Sequence, residues 1–430
     1  MTQALEQNLG ARNLVAAAQV GGAMLPPLAL LVAGGAFSLQ LSGLDPRATV
    51  GADSASTQSQ LALGLAYLAL ILWGLRRPRR MGAVVQGNRL LLALPALAIL
   101  SCLWAPEPSV ALRRAAAFAA TVTAGIAVAA ARPGPATPRF LIRTAAAGLA
   151  LSLAYGLLAP GYAIQQVSDG EQSVHAGDWR GLFVHRTVLG QLAALTLALA
   201  VYQGGGAFRG LALRGAVIAA AALCLVLARS GGGWVSAGVL LATPGLLWAG
   251  RRLSRRGRLA LAVGAIALGG ALAGAAAWRV APWLLALLGK DATLTGRTPL
   301  WSLMLRLAAE RPLLGYGYST GFRDVVAQRV AAQSPFGYVP NAQNGYLDVV
   351  LNLGLVGLFL ALGTLGVAFR RALRLALGGG GRGPFALAPM LIVVFVAELN
   401  GIEAALISAN DIFVLIYVAT AAASGEVTRS

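Results

Sequence analysis

Long apolar runs alternate with short polar segments along almost the whole chain. A helix crosses the hydrocarbon core of a bilayer with about 20 mostly apolar residues. Twelve runs approach that length: Leu14–Phe37, Gln58–Leu75, Leu90–Trp104, Ala111–Ala131, Phe140–Leu158, Thr187–Tyr202, Leu211–Ala228, Trp234–Trp248, Leu259–Trp278, Leu347–Phe369, Phe385–Leu399 and Asp411–Ala423. The segments between them are ordered by charge. With a cytoplasmic N-terminus, the inner loops are Arg76–Arg80, Arg132–Arg143, Arg209–Arg214, Arg251–Arg258 and Arg370–Arg382. All are short and basic, as the positive-inside rule requires. Every acidic residue except Glu6 and Glu426 then falls on the opposite face. That face is read as the working face, and both termini as cytoplasmic.

Two outer segments are long, Ala159–Arg186 and Arg279–Tyr346. Long irregular connections in compact proteins are usually functional. In the second, Leu300, Trp301, Leu303, Met304 and Leu307 recur at helical spacing, which predicts an amphipathic helix over Arg297–Glu310 lying on the bundle or the bilayer surface. Pro312 ends it, and GYGYSTGF follows as a glycine-rich turn. The expected organisation is nine transmembrane helices in residues 1–278, a loop carrying amphipathic surface helices in 279–346, and three more helices in 347–430. The fold class is an all-α polytopic membrane protein of about twelve transmembrane helices, with the large outer loop between helices nine and ten.

Composition agrees. Hydrophobic residues make up 57% of the 430 and charged residues 11%, with a mean hydropathy of +0.72; soluble domains carry about a quarter charged residues. The net charge of +19 sits mostly between apolar runs, so it reads as membrane orientation and not as a nucleic-acid surface. Cys102 and Cys224 lie in or beside apolar runs and read as small buried residues, not a disulfide. The first run follows a polar start and is long enough to span, so it is taken as an uncleaved helix.

Five stretches together resemble one family. They are LSCLWAPEPSVALRRA, RGLFVHRTVLGQ (Arg180–Gln191), GRTPLW (Gly296–Trp301), RPLLGYGYSTGF (Arg311–Phe322) and NAQNGYLDVVLNLGLVG (Asn341–Gly357). In this order and topology they resemble the O-antigen ligase / O-antigen polymerase superfamily. The resemblance implies a GT-C-like fold, similar to other multi-spanning lipid-linked-sugar glycosyltransferases. It also implies a reaction on the periplasmic face of the bacterial inner membrane. A glycan linked to undecaprenyl pyrophosphate passes to a hydroxyl of an acceptor glycan or of lipid A–core. The implied requirements include no cofactor and no metal; a chain-length regulator is a possible partner.

The departing pyrophosphate gains negative charge, which permanently charged guanidinium groups stabilise. Arg229 in ARSGGGW coincides with a functional Arg of the family; three glycines after it let a phosphate approach the backbone, although a terminal Arg can also simply snorkel. Arg297 opens the surface helix, whose N-terminus adds amide donors, the alternative being a structural salt bridge. Arg186 and Arg113 are further candidates for the donor phosphates, Arg113 also for headgroups. His185 falls on the family's histidine motif and can orient phosphate or act as base; His175 reads as a surface residue. Ligases of the family carry a His where Gln343 stands, and Gln cannot take a proton. Asp348, Glu398 and Glu403 are carboxylates that can replace it. Asn341, Gln343, Asn344 and Tyr346 form a polar edge, read equally as helix capping or as acceptor binding. Trp301, Tyr316, Tyr318 and Tyr338 can stack on sugars or belong to an interfacial belt.

Gln343 favours a repeat-unit polymerase over an O-antigen ligase or a protein O-glycosylating relative. The reading from another class is a lipid-linked glycan transporter or flippase. Transporter folds usually show related halves and intramembrane charges. Here the charges gather on one face and the long loop divides the helices nine to three, which favours an enzyme.

Overall fold

The computed structural model describes residues 24–37, 57–166, 175–250, 257, 297–333, 339–378 and 385–427. The expected ninth helix, Leu259–Trp278, lies outside the described residues, as do residues 14–23 of the first run, the loop from 279 to 296 and Tyr338.

Helices form wherever the hydropathy predicted them within the described residues. They are α1 (Met24–Ala33), α2 (Thr57–Leu75), α3 (Pro78–Gly87), α4 (Leu90–Leu100), α5 (Pro108–Ala131), α6 (Ala136–Leu158), α7 (Arg186–Ala207), α8 (Leu211–Ala228), α9 (Gly231–Gly250), α10 (Arg297–Glu310), α11 (Ala327–Gln333), α12 (Gly345–Leu377), α13 (Ala388–Ile402) and α14 (Ile412–Val427). The protein is an all-helical polytopic membrane protein. Among the described residues, 7 helices are long and apolar enough to cross a bilayer, and the bent pair α3–α4 makes an eighth candidate. Met24–Ala33, Ala388–Ile402 and Ile412–Gly425 are shorter apolar helices. Both cysteines are free, as expected.

Helix α5 runs through the middle, against α2, α4 and α14. Alanine dominates its buried face, which lets neighbouring backbones come close. A Cβ on Gly74 of α2 would lie 2.8 Å from Cα of Ala127, and one on Gly125 would lie 2.8 Å from the Val418 side chain. Helices α7 and α9 meet in the same way, with Gly233 against the backbone of Gly190. Between lipid-facing helices this close van der Waals contact supplies the attraction that burial from water supplies in soluble proteins.

Two differences from the sequence reading matter. The basic stretch Arg76–Arg80 is not all loop. Pro78 starts α3, whose Met81 and Val84 are buried, and α3 meets α4 at 81°. Asn88 holds the corner. It accepts from Arg371 Nη1 at 2.5 Å and donates to Ala422 O at 3.2 Å.

The predicted helix ten is also broken. Gly354 inside α12 has φ 67° and ψ −168°, so α12 is two helices joined at a corner. A continuous 33-residue helix would be about 50 Å long, well beyond a hydrocarbon core of about 30 Å. The break lets residues 345–353 pack with the loop, with Leu351 buried among its side chains and Leu347 and Val350 against them. Leu313 backbone fills the space a Cβ on Gly354 would need, at 2.0 Å from its carbonyl oxygen. Four hydrogen bonds tie the two strands of chain together: Tyr316 N to Leu351 O, Gly317 N to Asn352 O, Leu355 N to Pro312 O and Val356 N to Leu313 O. The motifs RPLLGYG and LNLGLVG are therefore one structural unit.

Helix α10 lies on this unit, not on lipid alone. Leu300, Leu303, Met304 and Leu307 are buried in a small second core with Tyr316, Phe322, Val326, Val330, Ala342 and Leu351. Trp301 donates from Nε1 to Ala342 O at 2.9 Å. Tyr318 is buried, stacked on Phe118 and bonded to Ile407 O, so it serves packing.

Candidate functional site

The loop before α7 is built around Trp179 and Asp178. Gly177 has φ 89° and turns the chain. Gln165 N donates to Asp178 O, Trp179 N to Leu227 O, and Arg180 Nε to Tyr162 O, which fixes the loop on α6 and α8. The Trp179 ring lies where Gly156 leaves room; a Cβ there would be 2.1 Å from the indole.

This frame aims Asp178 at two arginines from different elements. Its Oδ2 is 3.3 Å from Arg186 Nη1, and its Oδ1 is 3.5 Å from Arg229 Nη1. Arg186, at the first turn of α7, is buried and also donates from Nη1 to Arg229 O at 2.5 Å. That bond meets a carbonyl left open at the end of α8. Arg229 caps α8 in the left-handed region with φ 46°, which swings its side chain outward, 73% exposed. Ser230 starts α9 next, its Oγ accepting from Gly233 N at 3.2 Å. Arg186 is thus a fixed guanidinium and Arg229 a reaching one, with Asp178 between them. The pair carries one more positive charge than Asp178 cancels. Glu403, at the end of α13, is within electrostatic reach of Arg186.

Both histidines stand here, with ring centroids 6.1 Å apart. His185 caps α7, its Nδ1 accepting from Thr187 N at 3.2 Å. The neutral tautomer therefore carries its proton on Nε2 and can donate to an anion. Desolvation, then the charges of Arg186, His175 and Arg180, lower its pKa to about 4. His175 Nε2 is 3.4 Å from Arg186 Nη2, a group that only donates, and its Nδ1 is 3.9 Å from Asp178.

The shift has a testable sign. The unfolded chain takes a proton at His185 near pH 6.5, the folded protein only near 4. The contribution to stability is full above pH 6.5 and is lost as pH falls from 6.5 to 4. Thermal midpoints of wild type are expected to drop more steeply through that window than those of His185→Asn, which keeps a capping acceptor. Parallel curves would remove this account. His185→Ala is expected to cost a further ~1 kcal/mol at neutral pH through the lost cap.

The other predicted residues spread around the same end. Asn344 caps α12, its Oδ1 accepting from Tyr346 N and Leu347 N, and its Nδ2 donates to Gly401 O at 3.4 Å. Tyr346 donates to Ala397 O at 2.8 Å. Asn341 Oδ1 accepts from Gln343 N, and Gln343 turns the chain with φ 48°. The edge Asn341–Tyr346 thus rests on the last turn of α13, which carries Glu398 and is followed by Glu403. Glu398 Oε2 accepts from Ser236 Oγ of α9 at 2.9 Å. Buried Asp348 accepts from Ala342 N at 3.2 Å and belongs to the loop scaffold. Arg297 opens α10, but its side chain lies outside the described residues. Arg113 is exposed on α5; among the described residues no contact joins it to the Asp178 cluster. Its neighbour Arg114 donates to Ser319 Oγ.

A separate cavity of about 350 Å³ opens among Trp104, Glu310, Arg311, Tyr316 and Arg329. It shares no residue with the Asp178 cluster, and its charged groups pair internally, Arg329 with Glu310 at 2.5 Å. Among the described residues no group of three or more His, Cys, Asp or Glu has metal-binding proximity.

The family model described as O-antigen ligase matches residues 216–362. Over these residues the chain is O-antigen ligase-like. The match takes in Arg229, Arg297, Gln343, Asn344 and Tyr346. The chain is also 29% identical over 289 residues to the exopolysaccharide production protein ExoQ of Rhizobium meliloti (strain 1021). That alignment takes in 64% of this chain and 63% of that protein, just under two thirds of its length. This O-antigen ligase-like chain thus brings His185, Arg186 and Arg229 of the predicted site into one cluster. Asp178, which organises it, was not singled out in the sequence. The nearest signal was its position beside the WRGLFVHR motif, an acid among arginines.

Proposed function

We propose that the protein is a membrane glycosyltransferase that moves a glycan from a polyprenyl pyrophosphate to a sugar hydroxyl, acting as a repeat-unit polymerase. The observation that carries this is the Arg186–Asp178–Arg229 cluster at the loop-bearing end of an apolar bundle. A polyprenyl chain lies among the helices while its pyrophosphate reaches that end. Reaction breaks the bond between the anomeric carbon and the phosphate oxygen, and the charge left on the phosphate is met by Arg229 and Arg186. Asp178 holds the two guanidinium groups apart and oriented before the donor arrives, so that little reorganisation is needed. His185 Nε2–H adds a donor. The proposed step runs on these side chains without metal or cofactor.

Polymerase is favoured over ligase because Gln343 stands where ligases carry His, and the similarity to an exopolysaccharide production protein supports it. The enzyme then sits in the inner membrane with the cluster facing the periplasm. The test is purified protein in nanodiscs with undecaprenyl pyrophosphate-linked repeat units as sole substrate. A glycan ladder without added lipid A–core is the expected outcome. Product only with lipid A–core moves the assignment to a ligase, and passage of labelled lipid without product moves it to a flippase.

A further inference from the structure

Below the arginines a polar slot continues into the bundle between α7, α9 and α13. Helices α9 and α13 run antiparallel there, so their levels can be matched. Gly232 faces Ile402, 3.1 Å from a Cβ position to Cδ1, and one turn deeper on each helix Ser236 faces Glu398. Gln191 of α7 enters from the third side, its Nε2 3.2 Å from the same Cβ position on Gly232.

Two polar atoms in the slot are unmet. Gln191 is 2% exposed, and neither its Nε2 nor Glu398 Oε1 has a hydrogen-bond partner among the described residues. Buried polar groups are normally paired, and an unmet one is costly. One is a donor and the other an acceptor, at adjacent levels of one slot. A hydroxyl group answers both, accepting from the amide while donating to the carboxylate.

The surroundings narrow the role. The edge that carries Gln343 is docked on the same turn of α13, through Asn344 to Gly401 O and Tyr346 to Ala397 O. Glu398 therefore lies on the same end of α13 that the Asn344–Tyr346 edge rests on. Neither histidine of this chain offers a basic nitrogen. His185 Nδ1 is taken by the Thr187 amide, and His175 Nε2 faces Arg186.

We propose that Glu398 takes the proton of the acceptor sugar hydroxyl, and that Gln191 orients that hydroxyl. This rests on the glycosyltransferase reading above. In the step, the hydroxyl proton passes to Glu398 Oε1 as its oxygen forms a bond to the donor's anomeric carbon. The bond from that carbon to the phosphate oxygen breaks with its electron pair going to the phosphate. The proton on Glu398 then leaves to the released phosphate or to water. Ser236, bonded to Oε2, leaves Oε1 as the reacting oxygen.

The experiment uses the full chain in nanodiscs with the lipid-linked repeat unit. Glu398→Gln keeps size and the Ser236 contact, and is expected to lower kcat about 100-fold or more while donor binding changes less than about twofold. Glu398→Gly is expected to be inactive and to recover at least about tenfold in formate, which supplies the missing carboxylate. Gln191→Leu is expected to raise the KM for the acceptor and leave donor binding unchanged. Glu398→Gln within about threefold of wild type, or an inactive Glu398→Gly that formate does not restore, overturns the assignment, since removal of a general base costs about 100-fold or more. Wild type that makes no product in the same assay overturns the glycosyltransferase reading itself, and this role with it.

Discussion

Arg229→Ala is expected to lower glycan transfer about 10²–10³-fold, the usual effect of deleting one preorganised charge partner of a developing anion. Its thermal midpoint should stay near that of wild type. The side chain is 73% exposed, and its backbone duty, capping α8 with φ 46°, costs Ala no more than Arg. Arg229→Lys should fall between, since a point charge replaces a planar fork that binds two phosphate oxygens. Arg186→Ala should differ in kind. That guanidinium is buried, bonds the end of α8 and neutralises Asp178, so its loss should lower both activity and the midpoint. Parallel turnover assays and melts of the two variants check this. Arg229→Ala at wild-type activity would place the donor phosphates elsewhere.

Gly354→Ala is expected to destabilise the protein by about 4 kcal/mol or more. Two effects add. The conformation at φ 67°, ψ −168° is one that only glycine adopts freely. The new methyl would also lie 2.0 Å from Leu313 O, so the four bonds between residues 312–317 and 351–356 could not all form. Gly366→Ala in the same α12 is the control. Nothing lies within 4 Å of its Cβ position, and it should be neutral or raise stability by about 0.5–1 kcal/mol. Melting in detergent separates the two. A Gly354→Ala protein that melts with wild type would mean that α12 is continuous.

The helices were legible because the bilayer demands long apolar runs and little else produces them. Hydropathy failed where it is blind. LNLGLVG is as apolar as an unbroken helix, and nothing in those letters marks Gly354 as needing positive φ. RRPRR reads as a loop by charge, yet Met81 and Val84 give α3 a face to bury. Of the candidate site, Arg186, Arg229 and His185 were legible from charge at run ends and from motif. Their partners were not. Asp178 is one of several loop acids in the sequence. Gln191 and Ser236 are single polar letters inside apolar runs, and only the meeting of α7, α9 and α13 gives them a common purpose. Arg113 had the same sequence credentials as Arg186, but its position on α5 turns it outward.

The distribution of the cluster along the chain bears on how such proteins can be recombined. Residues 216–362 hold Arg229 and the Gln343 edge, while Asp178, Arg186, Gln191 and Glu398 lie on either side of them. The stretch most recognisable by sequence is therefore not a transplantable module. A chimera that imports it alone would join one protein's Arg229 to another's Asp178, Arg186 and Glu398. Exchanges that carry 175–191 and 397–403 along with it keep those partners together, and these are the segments whose co-inheritance should decide whether a hybrid works.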